Sequence, residues 1–386
     1  MEFNPNFTLS LELTKILLEI ERHKEAIDVM PINFGMVASL RETARLLSTH
    51  YSTQIEGNAL QVSEVERLSQ GGKGGFPGKE RDEREVQNYF KALGYIETLF
   101  DNAKPITEKQ IKEIHSLVLT GSKRGTPYRE GQNVIRDSKS GGIVYMPPEA
   151  KDVPRLMKGL TSWLNYQVKE QVLPAPIVAG LAHYQFATVH PYYDGNGRTA
   201  RLLTTLLLHR MGYGLKGIYS LEEYYAKNLM AYYESLNIGE SHNYYMGRSE
   251  ANVTPFLEYF LSGMARSFGN VRNEVEKWRD LPALDQSEKL RELRPLQRQL
   301  LSLFEKSKEV SLQEMADHLG MSSRSVYRNL AEWLDSHFIN IKNPSKKGRT
   351  YSLTVEWEKI LREADSKMLD LESSRSKSKN HPGQER

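Results

Sequence analysis

The sequence contains no cysteine, which excludes disulfides, thiolate zinc sites and cysteine nucleophiles together. It also lacks a dominant sign of charge. With 52 Lys and Arg against 49 Asp and Glu, the formal net charge is +3, so no whole-protein attraction to nucleic acid or membrane is expected, while local patches stay open. Long hydrophobic runs are missing as well. The most apolar short stretch, Leu202 to Leu208, falls far below membrane-spanning length. Met1 to Ser10 lacks the charged-then-apolar pattern of a secretory signal. A cytoplasmic protein without membrane contact is the expectation. What is present suffices for folding: 386 residues suit two or three domains, and 39% hydrophobic residues can fill their cores.

The pattern along the chain predicts a mainly α fold. Leu40, Ala44, Leu47, Tyr51 and Ile55 recur at helical spacing, and Gly57-Asn58 supplies a stop. Gln70 to Gly78 is glycine-rich and reads as a loop, after which Arg84 to Phe100 resumes the helical pattern. Ile143 to Met146 is a short extended stretch closed by Pro147-Pro148, and a second helical block runs from Val153 to about Met264. The domain boundaries expected are 1–103, 104–280, 281–365 and a polar tail, 366–386, without a core.

The most informative segment is His190-Pro-Tyr-Tyr-Asp-Gly-Asn-Gly-Arg-Thr-Ala-Arg201. A helix should end at His190, because the residue before proline avoids the helical region. Glycines then flank Asn196, and a new helix should start near Gly197. A glycine-flanked loop entering a helix N-terminus aims backbone N–H groups at one spot, an arrangement suited to phosphate. Around it stand His190, able to take a proton near neutral pH, and Asp194, a hard oxygen ligand for Mg²⁺. Arg198 and Arg201, three apart, share a helix face and can both reach phosphate oxygens. Each feature alone is ordinary: a capped histidine, a turn, solvated arginines. All of them within twelve residues point to phosphoryl-type chemistry. His183 and His190 are seven apart with no H-E-x-x-H, which argues against zinc.

The segment resembles the Fic signature, H-x-F-x-(D/E)-G-N-G-R-x-x-R, with Tyr192 at the usual phenylalanine. Tyrosine keeps the aromatic bulk, and its hydroxyl then needs a partner. The resemblance implies a helical Fic fold and transfer of AMP from ATP to a Ser, Thr or Tyr hydroxyl of a target protein, or of the chain itself. His190 would be the base and Asp194 would hold Mg²⁺. Gly195, Asn196 and Gly197 would cradle phosphates, and Arg198 and Arg201 would hold the β/γ end. It further implies a β-hairpin flap at Gly141 to Pro148, with Val144, Tyr145, Met146 and Pro147 presenting the target by strand addition, and an adenine pocket lined by Tyr232 and Tyr233.

Ser52-Thr-Gln-Ile-Glu56-Gly57-Asn58 is similar to the family's inhibitory motif, (S/T)-x-x-x-E-(G/N). A carboxylate at a helix C-terminus is disfavoured by roughly 0.3–1 kcal/mol unless a cation answers it. The resemblance names Arg201 as that cation, drawn away from ATP by Glu56.

Farther on, Leu312 to Leu334 has the spacing of a helix-turn-helix, with Gly320 at the turn. Val326, Leu330, Trp333 and Leu334 are expected in the core, and Arg324 and Arg328 outward. Phe338 to Leu353 reads as a hairpin with a basic tip, Lys346-Lys347, alongside Lys342 and Arg349. The unit resembles a winged helix, a module that binds DNA, docks proteins or builds homodimers. Three functions follow: an AMP-transferring enzyme, a hydrolase removing AMP at the same site, or a DNA-binding regulator with a sensory Fic domain.

Overall fold

Apolar residues at three- and four-residue spacing make this chain helical. The computed structural model describes residues 3–30, 34–69, 75–101, 104–136, 141–239, 241–279, 293–319, 321–345 and 348–361. Part of the glycine-rich stretch 70–78, the expected boundary at 281, Gly320, Lys346, Lys347 and the tail lie outside the described residues. The chain divides into two compact units. The first comprises 1–28, 44–60 and 65–271, and the second 29–43, 61–64 and 272–386.

Described helices contributing to the first unit include α1 (Leu11–Asp28), α2 (Phe34–Ile55), α3 (Val62–Ser69), α4 (Glu80–Glu97) and α5 (Glu108–Thr120). After the two short strands β1 (Ile135–Arg136) and β2 (Ile143–Tyr145) come α6 (Val153–Glu170), α7 (Ala175–Val189), α8 (Asn196–Arg210), α9 (Glu222–Lys227), α10 (Leu229–Leu236) and α11 (Thr254–Arg279). The end of α2 matches the sequence pattern: Ala44, Tyr51 and Ile55 are buried, and Gly57 takes φ +91° just past the last turn, a conformation glycine adopts without a Cβ penalty.

Helix α7 is the centre of this unit. Only Ala187 within it escapes burial, and a helix apolar all round is one enclosed by others. It packs chiefly on α8 and α6. Gly180 lets α11 approach, since a Cβ there would come within 2.8 Å of Leu257 and 3.0 Å of Phe260. On α8, Leu202, Leu203, Leu206 and Leu207 are buried. This packing fixes the loop between α7 and α8, where the signature lies, on two rigid elements. Strands β1 and β2 pair antiparallel, making the expected hairpin.

The second unit contains α12 (Pro295–Lys306), β3 (Val310–Ser311), α13 (Leu312–Leu319), α14 (Ser323–Asp335), β4 (Ile339–Asn343) and β5 (Thr350–Leu353). Its sheet has three antiparallel strands in the order β3-β5-β4, one more than the expected hairpin. A two-residue strand carries too little alternation to be read from sequence. Ser322 caps α14 by accepting from the Ser325 N–H. Val326, Leu330 and Trp333 are buried, whereas Leu334 is half-buried.

Candidate active site

The loop from α7 to α8 is built by local chemistry. Helix α7 ends because Pro191 follows His190, which takes the left-handed conformation (φ 49°, ψ 61°) while its N–H still donates to Phe186 O at 3.0 Å. Asn196 closes the loop: its Oδ1 accepts from Tyr192 N (3.0 Å) and its Nδ2 donates to Tyr192 O (2.8 Å). Gly195, at φ 75°, starts α8. The N–H groups of Asn196 and Gly197, in the first turn, have no helical acceptor. That of Gly195 donates to Asp194 Oδ1, so of the three expected cradle groups only two point onward.

The His190 imidazole lies beside this helix end. Its Nδ1 faces Ala187 O at 3.3 Å, so Nδ1 carries the proton and Nε2 the lone pair. Burial pushes its pKa down to about 4, against smaller upward pulls from the Ala187 carbonyl, Glu56 and Asp194. The value is below the near-neutral one expected, because desolvation penalises the imidazolium. The side chain is neutral at pH 7 and ready to accept a proton.

Both arginines are buried and both face carboxylates. Arg198 Nη2 donates to Asp194 Oδ1 at 3.1 Å, and its Nη1 is 3.9 Å from Glu85 Oε1 on α4. Arg201 Nε donates to Ser52 Oγ, and its Nη2 to Ser52 O and Glu56 Oε1, all at 2.8 Å. Burial alone would lower the Arg201 pKa, but Glu56, Tyr232 and Tyr89 hold it well above its ordinary value. Arg201 Nη1 and Arg198 Nε are buried with no hydrogen-bond partner among the described residues. A Cβ at Gly197 would run into Glu56 Oε1, so the carboxylate rests against the first turn of α8. A negative oxygen thus sits at a helix N-terminus beside an Arg201 donor, as a phosphate oxygen would.

The turn after Glu56 is held onto α4. Asn58 Nδ2 donates to Asp82 O (3.0 Å) and Glu85 Oε2 (3.3 Å), and Ala59 N donates to Asp82 Oδ2 (3.1 Å). Glu85 and Asp82 escaped sequence reading, since charged residues opening a helix look like any solvated face.

Asp194 has a side chain 59% exposed, and its second oxygen makes no hydrogen bond among the described residues. One hard oxygen beside unpartnered phosphate donors fits Mg²⁺, which keeps several waters and takes one or two carboxylates plus substrate phosphates. Below Asp194 lies a residue that sequence reading missed, His115 on α5. Its Nε2 is 2.8 Å from Asp194 O, and its ring stacks on Tyr192 at 3.5 Å. Its only sequence signal was a histidine on the apolar face formed by Ile111, Ile114 and Val118. The Tyr192 hydroxyl, expected to find a partner, is buried without one among the described residues. The ring is fixed by stacking, and the hydroxyl is carried along.

The tyrosine pair divides. Tyr232 is buried, its hydroxyl 2.9 Å from His183 Nε2, and its pKa is raised to about 12 by burial. Tyr233 is 47% exposed and donates to Ile55 O at 3.3 Å. In the hairpin, Tyr145 and Pro147 are buried, and the Tyr145 hydroxyl donates to Thr188 O at 2.7 Å. Met146 already uses both backbone groups: its N–H donates to His242 O (2.8 Å) and its carbonyl accepts from Tyr244 N (3.0 Å). The outer backbone groups of Met146 are therefore already taken, while Ile143 and Tyr145 are in register with β1.

A model of the Fic/DOC family matches residues 105–208, the span from α5 through α8 that contains the signature loop. The chain carries a Fic domain. Among similar proteins, the protein adenylyltransferase Fic of Drosophila yakuba is 30% identical over 200 residues, covering 51% of this chain and 39% of its own. The chain thus spans about two fifths of the length of the curated relatives it matches. A Fic family protein of Desulfovibrio desulfuricans shares the fold at a TM-score of 0.58 and 23% identity, over 92% of this chain and 99% of that one. Fic-1 of C. elegans shares it at 0.55 and 23%, over 68% and 72%. The Fic domain here therefore has the helical fold of its family, with a small hairpin beside the signature loop. No described helix is long and apolar enough to cross a membrane.

Proposed function

We propose that this chain transfers AMP from ATP to a hydroxyl of a target protein or of itself, and that Glu56 restrains the reaction. The observation that carries this reading is Arg201: buried in the second turn of α8, with one donor unpartnered among the described residues, and answered by Glu56 at 2.8 Å. His190 Nε2 takes the proton of the attacking Ser, Thr or Tyr hydroxyl. The hydroxyl oxygen bonds to the α-phosphorus, the bond from that phosphorus to the oxygen bridging to the β-phosphate breaks, and pyrophosphate leaves. The Asn196 and Gly197 N–H groups, with Arg198 and Arg201, answer the phosphate charge, so positioning and fixed donors supply most of the rate. Mg²⁺, held by Asp194, would supply charge neutralisation at the phosphates. Tyr233, partly exposed next to the inhibitory segment, is the better candidate of the pair for the adenine face. Incorporation of label from α-labelled ATP, lost in His190→Ala, tests the reading.

Removal of AMP is the second reading. Glu56 is 27% exposed at its side chain beside the helix N-terminus, where it could orient a hydrolytic water. The second unit, which we read as a winged helix, has a conflict with DNA binding. Arg328 Nη1 on α14 donates to Glu64 Oε1 at 3.1 Å, and the Glu64 side chain is 5% exposed. One of the two arginines expected to point outward is thereby committed, which favours a protein-docking role.

A further inference from the structure

Arg129 lies in the segment between α5 and β1 and is 3% exposed. Its Nε donates to His190 O at 2.9 Å, its Nη1 to Gly131 O at 3.1 Å and its Nη2 to Pro148 O, while its backbone N–H donates to Pro191 O at 2.9 Å. One planar guanidinium thus joins the carbonyl of the base, the loop at 131 and the chain leaving β2. Its side-chain hydrogen bonds among the described residues all go to carbonyls and none to a carboxylate. A cation buried against carbonyls alone is costly, and filling space would need only an apolar side chain. Its second partner is tied to the same loop, since Gly131 N donates to Tyr193 Oη at 2.8 Å. The hairpin has its own link to the end of α7 through Tyr145 and Thr188.

We propose that Arg129 is a positioning residue that locks His190, in its left-handed conformation, to the flap hairpin, so that a hydroxyl presented along β2 stays in register with Nε2. This rests on the AMP-transfer reading above. Planarity matters, because a lysine offers a point charge where three carbonyls need a fork. The charge matters too. After burial, which dominates, Arg129 is a cation that lowers the proton affinity of His190, whereas Glu56, Asp194 and the Ala187 carbonyl raise it.

The test uses the full chain with Glu56→Gly, alone and with Arg129→Lys or Arg129→Met. Both additions should lower AMP incorporation on the order of 10²-fold, the usual cost of a small misplacement of reacting groups, with ATP affinity by calorimetry unchanged. The His190 titration, followed by NMR without nucleotide, should move to higher pH in Arg129→Met and stay in place in Arg129→Lys. Amide exchange should rise together in 143–148 and 188–191. If Arg129→Met does not fold, Arg129→Lys carries the exchange and turnover measurements. Turnover equal to the Glu56→Gly parent overturns the proposal, as does loss of ATP affinity in step with turnover. Exchange rising in only one of the two segments overturns it as well. If Glu56→Gly itself incorporates no AMP, the transfer reading fails, and exchange still decides whether Arg129 couples flap and base.

Discussion

Replacing Glu56 by glycine removes one of the acceptors of a buried arginine, and the consequences can be worked through. Arg201 keeps Ser52 Oγ and Ser52 O, so the guanidinium is not stranded. A hydrogen bond to a charged group is worth roughly 1.5–3 kcal/mol, and partial exposure of Glu56 reduces that, so the apo protein should lose about 1–2 kcal/mol of stability. ATP should restore it, because a ligand at 100 times its dissociation constant adds about 2.7 kcal/mol. Turnover should respond more strongly and in the opposite direction. Glu56 lies against Arg201 Nη2 and the first turn of α8; on the proposed reading, ATP then binds with its γ-phosphate displaced and its α-phosphorus misaligned. Misalignment acts on the transition state, so relief should raise AMP incorporation by about 10²-fold with a smaller change in ATP affinity. Glu56→Gly with Arg201→Ala should lose that gain, since the two residues act as one unit. The assay is thermal denaturation with and without ATP, together with incorporation of labelled AMP by the parent, single and double variants. Equal incorporation by parent and Glu56→Gly would refute the reasoning. Loss in Glu56→Gly of an AMP-removing activity seen in the parent would make hydrolysis the function.

Other expectations follow from buried groups. Burial pushes His50 and His115 down to about 4 and His183 to about 3. Below pH 6.5 the unfolded chain binds protons that the folded one refuses. Stability should therefore fall as pH drops from 6.5 towards 4, by at most about 1.4 kcal/mol per unit for each histidine; identical denaturant midpoints at pH 7.5 and 5.5 would contradict this. Tyr192→Phe removes a buried hydroxyl without a partner among the described residues, and should leave the melting temperature unchanged or raise it, by up to about 1 kcal/mol in stability; a clear drop would mean the hydroxyl is bonded in solution. For the second unit, duplex DNA should show no mobility shift at moderate salt, and a salt-sensitive shift weakened by Arg324→Ala would restore the DNA reading.

The signature loop was legible because its groups are contiguous: twelve residues hold a histidine, a carboxylate, the glycines and both arginines. The end of α2 was legible for a similar reason, a helical pattern closed by Gly57 with a carboxylate just before it. The groups that steady this machinery were not. Arg129, His115, Glu85 and the partners of Met146 come from distant stretches, and a lone arginine in a loop or a histidine on an apolar face has no local pattern. Backbone pairing of Met146 with residues 242–244 joins positions about a hundred residues apart, a link no window of sequence contains. The burial that lowers the His190 pKa has no local pattern either, since it depends on what α7 packs against.

The central claim is that this site moves the α-phosphoryl group of ATP, with its adenosine, onto protein through His190. The direct measurement supplies Glu56→Gly with ATP labelled at either the α- or the γ-phosphate, beside the same variant carrying His190→Ala. The account predicts protein-bound label from the α-position only, with pyrophosphate released, and a loss of roughly 10²–10⁴-fold without the histidine. Label from the γ-position, or undiminished α-label with His190→Ala, would contradict it.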